Sequence, residues 1–128
     1  MKRVICDIEA NGLQPTKIWC CVCQDVDDNS IHVFRDGDAV KAKEFFSKYD
    51  KIIGHNFIGY DSIWLNKLWK CGIKLEKIVD TIVLSRLADS FRGGHSLRDW
   101  GEKLGVYKDH HEDWSQWSQE MEDYCIQD

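Results

Sequence analysis

Three clusters in this sequence combine residue types and spacings that could do chemistry. Asp7 and Glu9 stand two apart in Val4-Ile5-Cys6-Asp7-Ile8-Glu9. Strand residues two apart point to one face. Both carboxylates would then project together, near enough for one divalent ion to bridge, with Ile8 on the opposite face. Like charges side by side are costly in a sheet, and Mg2+ or Mn2+ would relieve the repulsion. On these two residues alone an alternative stands equally: the strand ends at Cys6 and the acids are solvated turn residues. The second cluster, Gly54-His55-Asn56-Phe57-Ile58-Gly59-Tyr60-Asp61, follows a short apolar run and opens a helix. Asp61 would lie near the positive helix N-terminus, which stabilises its charge. By itself it reads more readily as an ordinary first-turn acid, and Asn56 as a turn former. The third cluster is Tyr124-Cys125-Ile126-Gln127-Asp128. Tyr124 and Asp128 are spaced to share a helix face. A phenol and a carboxylate together can orient a water and hold a metal; a core tyrosine and a solvated chain end is the plainer alternative.

The elements that must position these residues are legible in outline. Residues 4–8 read as a first strand, 18–25 as a second, and Asp27-Asp28-Asn29 as a turn into a third at 31–34. Short connections make these an antiparallel meander. Val40, Phe45 and Phe46 give residues 39–49 helical spacing. A short strand at 51–54 leads to a helix at 60–70, with Ile63, Trp64, Leu68 and Trp69 on or near one face and Gly72 in a helix-stop position. A strand at 78–79 precedes helices at 82–88 and 96–104, the latter followed by Gly105. Ser118 heads a last helix, with acids following the cap. The order predicts an α/β domain with a mixed five-stranded sheet, three antiparallel strands and then two strand–helix units.

Length and charge narrow the function classes. With 128 residues the chain holds one domain. Its 43% hydrophobic and 12% aromatic content fits a globular class. No apolar run is long enough to span a bilayer and no signal-peptide core follows Met1-Lys2-Arg3, so a cytoplasmic protein is expected. The net charge of −5 argues against a stand-alone duplex-binding module, which needs cations facing phosphate. A metal-dependent nuclease is compatible, because there the ions supply the positive charge. The six cysteines are expected to be reduced and buried. Cys20, Cys21 and Cys23 lack zinc-ligand spacing and fall in an apolar strand.

Taken together, the three clusters resemble the three motifs of the DnaQ-like (Asp-Glu-Asp-Asp) 3′→5′ exonuclease superfamily, on a ribonuclease-H-like fold. Tyr124, four before the last acid, resembles the tyrosine subclass. Residues 7–13, 80–87, 95–105 and 120–128 look further like the N-terminal proofreading domain of family A DNA polymerases of short-tailed phages. The resemblance implies a single exonuclease domain over residues 1–128, cut short in its C-terminal helix. It implies two divalent ions, Mg2+ or Mn2+, held by Asp7, Glu9, Asp61 and Asp128, with Tyr124 orienting the attacking water. Ala10, Leu13 and Asn56 would touch the terminal nucleotide of a single-stranded DNA 3′ end, and a polymerase domain would be the partner. A non-catalytic module for DNA ends or a polymerase, and an RNA-trimming exonuclease of the same superfamily, are the alternatives.

Other chemistry-bearing residues have duller expectations. His55 should support a strand end, and Asp80 should cap its helix. His95 is read as structural or as a phosphate contact. His110-His111-Glu112-Asp113 reads as a solvated polar loop, and Trp64, Trp69, Trp100, Trp114 and Trp117 as core.

Overall fold

The computed structural model describes residues 1–91, 93–106 and 116–127. Five strands form one sheet: β1 (Arg3–Ala10), β2 (Ile18–Asp25), β3 (Ile31–Arg35), β4 (Lys51–Gly54) and β5 (Ile78–Asp80), in the order β3-β2-β1-β4-β5. β1 pairs antiparallel with β2, and β2 with β3. β4 runs parallel to β1, and β5 parallel to β4. This is the expected mixed sheet. The helices are α1 (Ala39–Ser47), α2 (Ser62–Leu68), α3 (Thr81–Ala88), α4 (Leu97–Leu104) and α5 (Gln119–Gln127). No helix among the described residues is long and apolar enough to cross a membrane.

The period-two pattern of β1 divides the molecule. Val4, Cys6 and Ile8 face a core that includes Cys21, Cys23, Phe46, Ile52, Phe57 and Leu65. The other face carries Cys20 and Val22 against Cys125 of α5. β1 continues to Ala10, so Asp7 and Glu9 are strand residues and not the turn residues of the alternative reading.

Two helices depart from their sequence patterns. α1 stops at Ser47, and Val40 is exposed; Ala42 and Phe46 supply its buried side. Tyr49, beyond the helix, donates its hydroxyl to buried Asp25 at 2.7 Å. The helix expected at 60–70 begins earlier, as a π-helical turn over Phe57–Asp61 that runs straight into α2. Its apolar side centres on fully buried Leu65, one turn before Trp69, while Ile63 is 38% exposed. Spacing alone could not choose between these faces, because apolar residues occur on both. α4 has the expected start and stop: Ser96 and Asp99 form a reciprocal capping box, and Gly105 ends the helix at φ 76°.

Candidate active site

The site forms where the sheet splits. β1 and β4 pair only from Arg3 with Lys51 to Ile5 with Ile53. Beyond this point β4 ends, and β1 runs on with one open edge. Such a divergence leaves a crevice at the carboxyl end of the strands. The π-helical turn fills the edge: the buried Asp61 carboxylate accepts the Ile8 N–H at 3.1 Å. A register shift between Glu9 and Ala10 bends the end of β1, as bulges beside active sites commonly do.

Asp7 and Glu9 are half-buried on the α5 face of β1. One ligand atom from each, with the Cys125 sulfur, forms a group within 4.8 Å of one another. The Cys125 Sγ lies 3.9 Å from Asp7 Oδ2. Its thiol is pushed far up by its contact with Cys20, by burial and by Asp7, so it stays protonated. A neutral thiol is a poor partner for a hard divalent ion, whereas paired carboxylates suit one. The oxygen donors of Asp7 and Glu9 therefore fit Mg2+ or Mn2+.

Asp61 stands outside this group of ligand atoms. It is not the first-turn acid, stabilised by a helix N-terminus, of the sequence reading, because the backbone is already helical before it and its side chain makes no cap. Burial, then Cys21 and Glu9, push its carboxyl well above the usual carboxylate range, against the Ile8 N–H. A charge here is costly unless a cation joins it.

α5 is held over the sheet by three buried residues, Met121, Glu122 and Cys125. The Ser118 hydroxyl caps the helix, accepting the Met121 N–H at 3.1 Å. Arg35, at the end of β3, grips Glu122 through Nε at 2.8 Å and Nη2 at 2.7 Å. The Trp117 indole donates to the same carboxylate at 3.2 Å. Trp117 is thus 40% exposed beneath Arg35 and not a core residue. Sequence reasoning missed Arg35 and Glu122, since nothing local links residues so far apart. Tyr124 lies half-buried on this helix. Asp128 falls outside the described residues, as do His110, His111, Glu112, Asp113 and Trp114.

Above the acids, Asn11 organises the loop after β1: its Oδ1 accepts from Thr16 N at 3.0 Å and Lys17 N at 3.3 Å. Leu13 is 90% exposed on that loop, and Ala10 is buried at its root. The Tyr60 hydroxyl donates to the Gly12 carbonyl at 2.6 Å, joining this loop to the turn that carries Asp61. Asn56 is exposed and left-handed, at φ 55°, as asparagine tolerates. His55 pairs with Thr81 at 2.9 Å at the end of β4, in the supporting role expected of it. His95 meets the Ser85 hydroxyl at 2.7 Å, and the Trp100 indole donates to that hydroxyl. His95 therefore braces α3 against α4.

The cysteines are all free and buried. Alternation on β2 turns Cys21 and Cys23 toward Cys6 and sends Cys20 to the other face. The run Cys20, Cys21, Cys23 therefore cannot close on one ion. Cys6, from β1, joins the latter two, a convergence no local spacing could reveal.

No protein-family model matches this sequence, and no curated protein matches it significantly. Solved structures do. One, described as the apo form of a nuclease, superposes with a TM-score of 0.74 at 19% identity, over 96% of this chain and 64% of that one. Brucella melitensis NrnC with bound Mg2+ gives 0.69 at 20%, with the same coverage. A family B DNA polymerase from the hyperthermophilic archaeon Pyrobaculum calidifontis gives 0.56 at 22%, over 83% of this chain and 18% of the polymerase. The chain thus spans about two thirds or less of each. At such identities the likeness is one of fold, and the fold is ribonuclease-H-like.

Proposed function

We propose that residues 1–128 form a divalent-metal-dependent 3′→5′ exonuclease domain that hydrolyses the terminal phosphodiester of single-stranded DNA. The observation that carries this reading is the convergence at the sheet split. Asp7 and Glu9 share one face of β1, and Asp61 is drawn to the same strand by Ile8 N–H. Three carboxylates collected at one strand of an acidic chain repel each other unless cations join them. A nuclease-like fold supports the reading, as does the Mg2+ in one structure of that fold.

Asp7 and Glu9 would hold Mg2+ or Mn2+, with Asp61 and Asp128 completing a site for two ions. Bound there, the ions would supply Lewis-acid stabilisation of phosphate charge and a more acidic water. The chain's own residues do the rest. Tyr124 orients the attacking water and does not take its proton, since a phenol is a weak base near neutral pH. Leu13 offers an apolar surface for the last base, because unstacked bases rest on such side chains. Asn56 and Ala10 border the terminal nucleotide. A cleft of about 350 Å3 opens beside Asp7, between His55, Thr81, Leu97 and Cys125, within the range of small-ligand sites.

The motifs of residues 80–87 and 95–105 support a proofreading role beside a polymerase of the short-tailed-phage type, in the cytoplasm. A second reading has its own observation: the nuclease chains superpose over more of this chain than the polymerase does. It makes the protein a free-standing exonuclease that trims RNA. The test is mononucleotide release from 5′-labelled single-stranded DNA and RNA of one sequence, with Mg2+, with Mn2+ and with chelator. Stepwise 3′ shortening that Asp7→Ala abolishes is expected, faster on DNA. Shortening unaffected by Asp7→Ala would sink the assignment, and faster RNA trimming would favour the second reading.

A further inference from the structure

The turn carrying Asn56 and Asp61 leaves β4 abruptly. Gly54 pairs with Asp80 at the strand ends, and two residues later the chain is left-handed at Asn56 and then helical. The first N–H groups of such a turn have no intrahelical acceptor. Here two of them find one carboxylate. Asn56 N donates to Asp80 Oδ1 at 2.9 Å, and Ile58 N to Asp80 Oδ2 at 2.9 Å. Ile82 N, opening α3, donates to Oδ1 at 3.0 Å. Asp80 is 5% exposed. A helix cap alone needs one acceptor; this carboxylate serves three donors from two segments.

We propose that Asp80 is a positioning residue of the site: through the N–H groups of Asn56 and Ile58 it fixes the turn that presents Asp61 to β1. The inference rests on the exonuclease reading above. The path from Asp80 is continuous. The turn it holds is closed by the Tyr60 N–H on the Asn56 carbonyl at 3.1 Å, and Asp61 reaches the Ile8 N–H, between Asp7 and Glu9. The turn has little slack. A Cβ on Gly54 would lie 2.9 Å from the Cβ of fully buried Phe57, which opens the turn. An amide cannot replace the carboxylate, since its NH2 would face one of the donors.

Two variants of the full chain separate capping from positioning, and Asp80→Glu serves as the conservative rescue. Asp80→Ser keeps a good cap for Ile82 but is too short to serve Asn56 and Ile58. Asp80→Asn keeps the shape and loses one acceptor. Three readouts are taken: amide exchange at Asn56 and Ile58, Mn2+ binding followed by electron paramagnetic resonance, and kcat and KM on single-stranded DNA. Asp80→Ser should stay folded and lose protection at both amides. Its half-saturating Mn2+ concentration should rise about tenfold, and kcat should fall roughly 10–100-fold with KM little changed. Asp80→Glu should recover part of the Mn2+ binding. Wild-type Mn2+ binding and kcat in folded Asp80→Ser would overturn the inference alone. So would unfolding of both variants, because Asp80 would then be a scaffold residue. A wild-type chain that neither binds Mn2+ nor shortens DNA would overturn the exonuclease reading, and this inference with it.

Discussion

Gly54→Ala probes how rigidly the Asp61 turn is held. A Cβ at Gly54 would sit 2.5 Å from Phe57 Cδ2 and 2.9 Å from its Cβ and Cγ. Ordinary contact begins at 3.4 Å, so the ring must retreat by about 0.9 Å. Phe57 is fully buried within the main core, so its ring cannot swing out into solvent and must push on packed neighbours. Overpacking of this kind costs about 1–3 kcal/mol. For a chain of 128 residues that lowers Tm by roughly 3–5 °C per kcal/mol. Phe57 also opens the turn that ends at Asp61, so the displacement passes to the site. A misplacement near 1 Å costs up to about 100-fold in rate. The assay is thermal unfolding beside nucleotide release, with Gly93→Ala as control, since nothing lies within 4 Å of a Cβ there. Phe57→Leu makes room. Alone it should cost about 1–2 kcal/mol, but the double variant should recover at least about 1 kcal/mol relative to additivity. Unchanged Tm and activity in Gly54→Ala, or strict additivity in the double variant, would refute the tight-turn argument.

Three further outcomes are expected. Mn2+ or Mg2+ at about 100 times its Kd should stabilise the wild type by ~2.7 kcal/mol, and Glu9→Gln should largely lose this gain; an equal Tm rise in both would remove Glu9 from the metal site. Arg35→Met and Glu122→Gln should each lower Tm by several degrees, and the double variant by less than their sum, because each single change strips a partner from a bidentate pair; additivity in unfolding would show that the pair does not hold α5. Asp25 is kept below the usual carboxylate range by the Tyr49 hydroxyl first, then by the Asp27 and Asp28 N–H groups. A depressed folded pKa gives stability that is full above the unfolded value, about 3.9, and is lost as pH falls through the folded value. Asp25→Asn should therefore flatten stability against pH below about 4, and an unchanged acid limb would refute the role given to Tyr49.

The sheet was legible because its strands carry local signals. Residues 18–25 and 51–54 are apolar runs bounded by turn residues, and the structure places β2 and β4 over those residues. Asp7 and Glu9 needed only the two-residue period to be placed on one face. The 57–61 turn was not legible, because its conformation is imposed from outside: Asp80 takes its first N–H groups and Gly54 admits the Phe57 ring. Periodicity describes a helix that packs by one face. It cannot describe a turn shaped by a carboxylate from the next strand. The Arg35–Glu122 pair was hidden for the same reason, since its partners are 87 positions apart.

The alternation of β1 also explains how one strand serves two incompatible surroundings. Cys6 and Ile8 enter a dry core, while Asp7 and Glu9 face a half-open cleft. Two charges of one sign on a central strand would ordinarily weaken it. Here β2 covers the whole strand on one edge, and on the other β4 gives way to Asp61 just where the acids begin. The strand is therefore held in place by its neighbours, independently of the repulsion it carries. A frame of this kind already places the two acids side by side, so a cation bound between them would relieve repulsion without having to order the chain. It also follows that neutralising Glu9 should stabilise the metal-free fold while abolishing metal affinity, a pairing of effects that a merely structural acid would not produce.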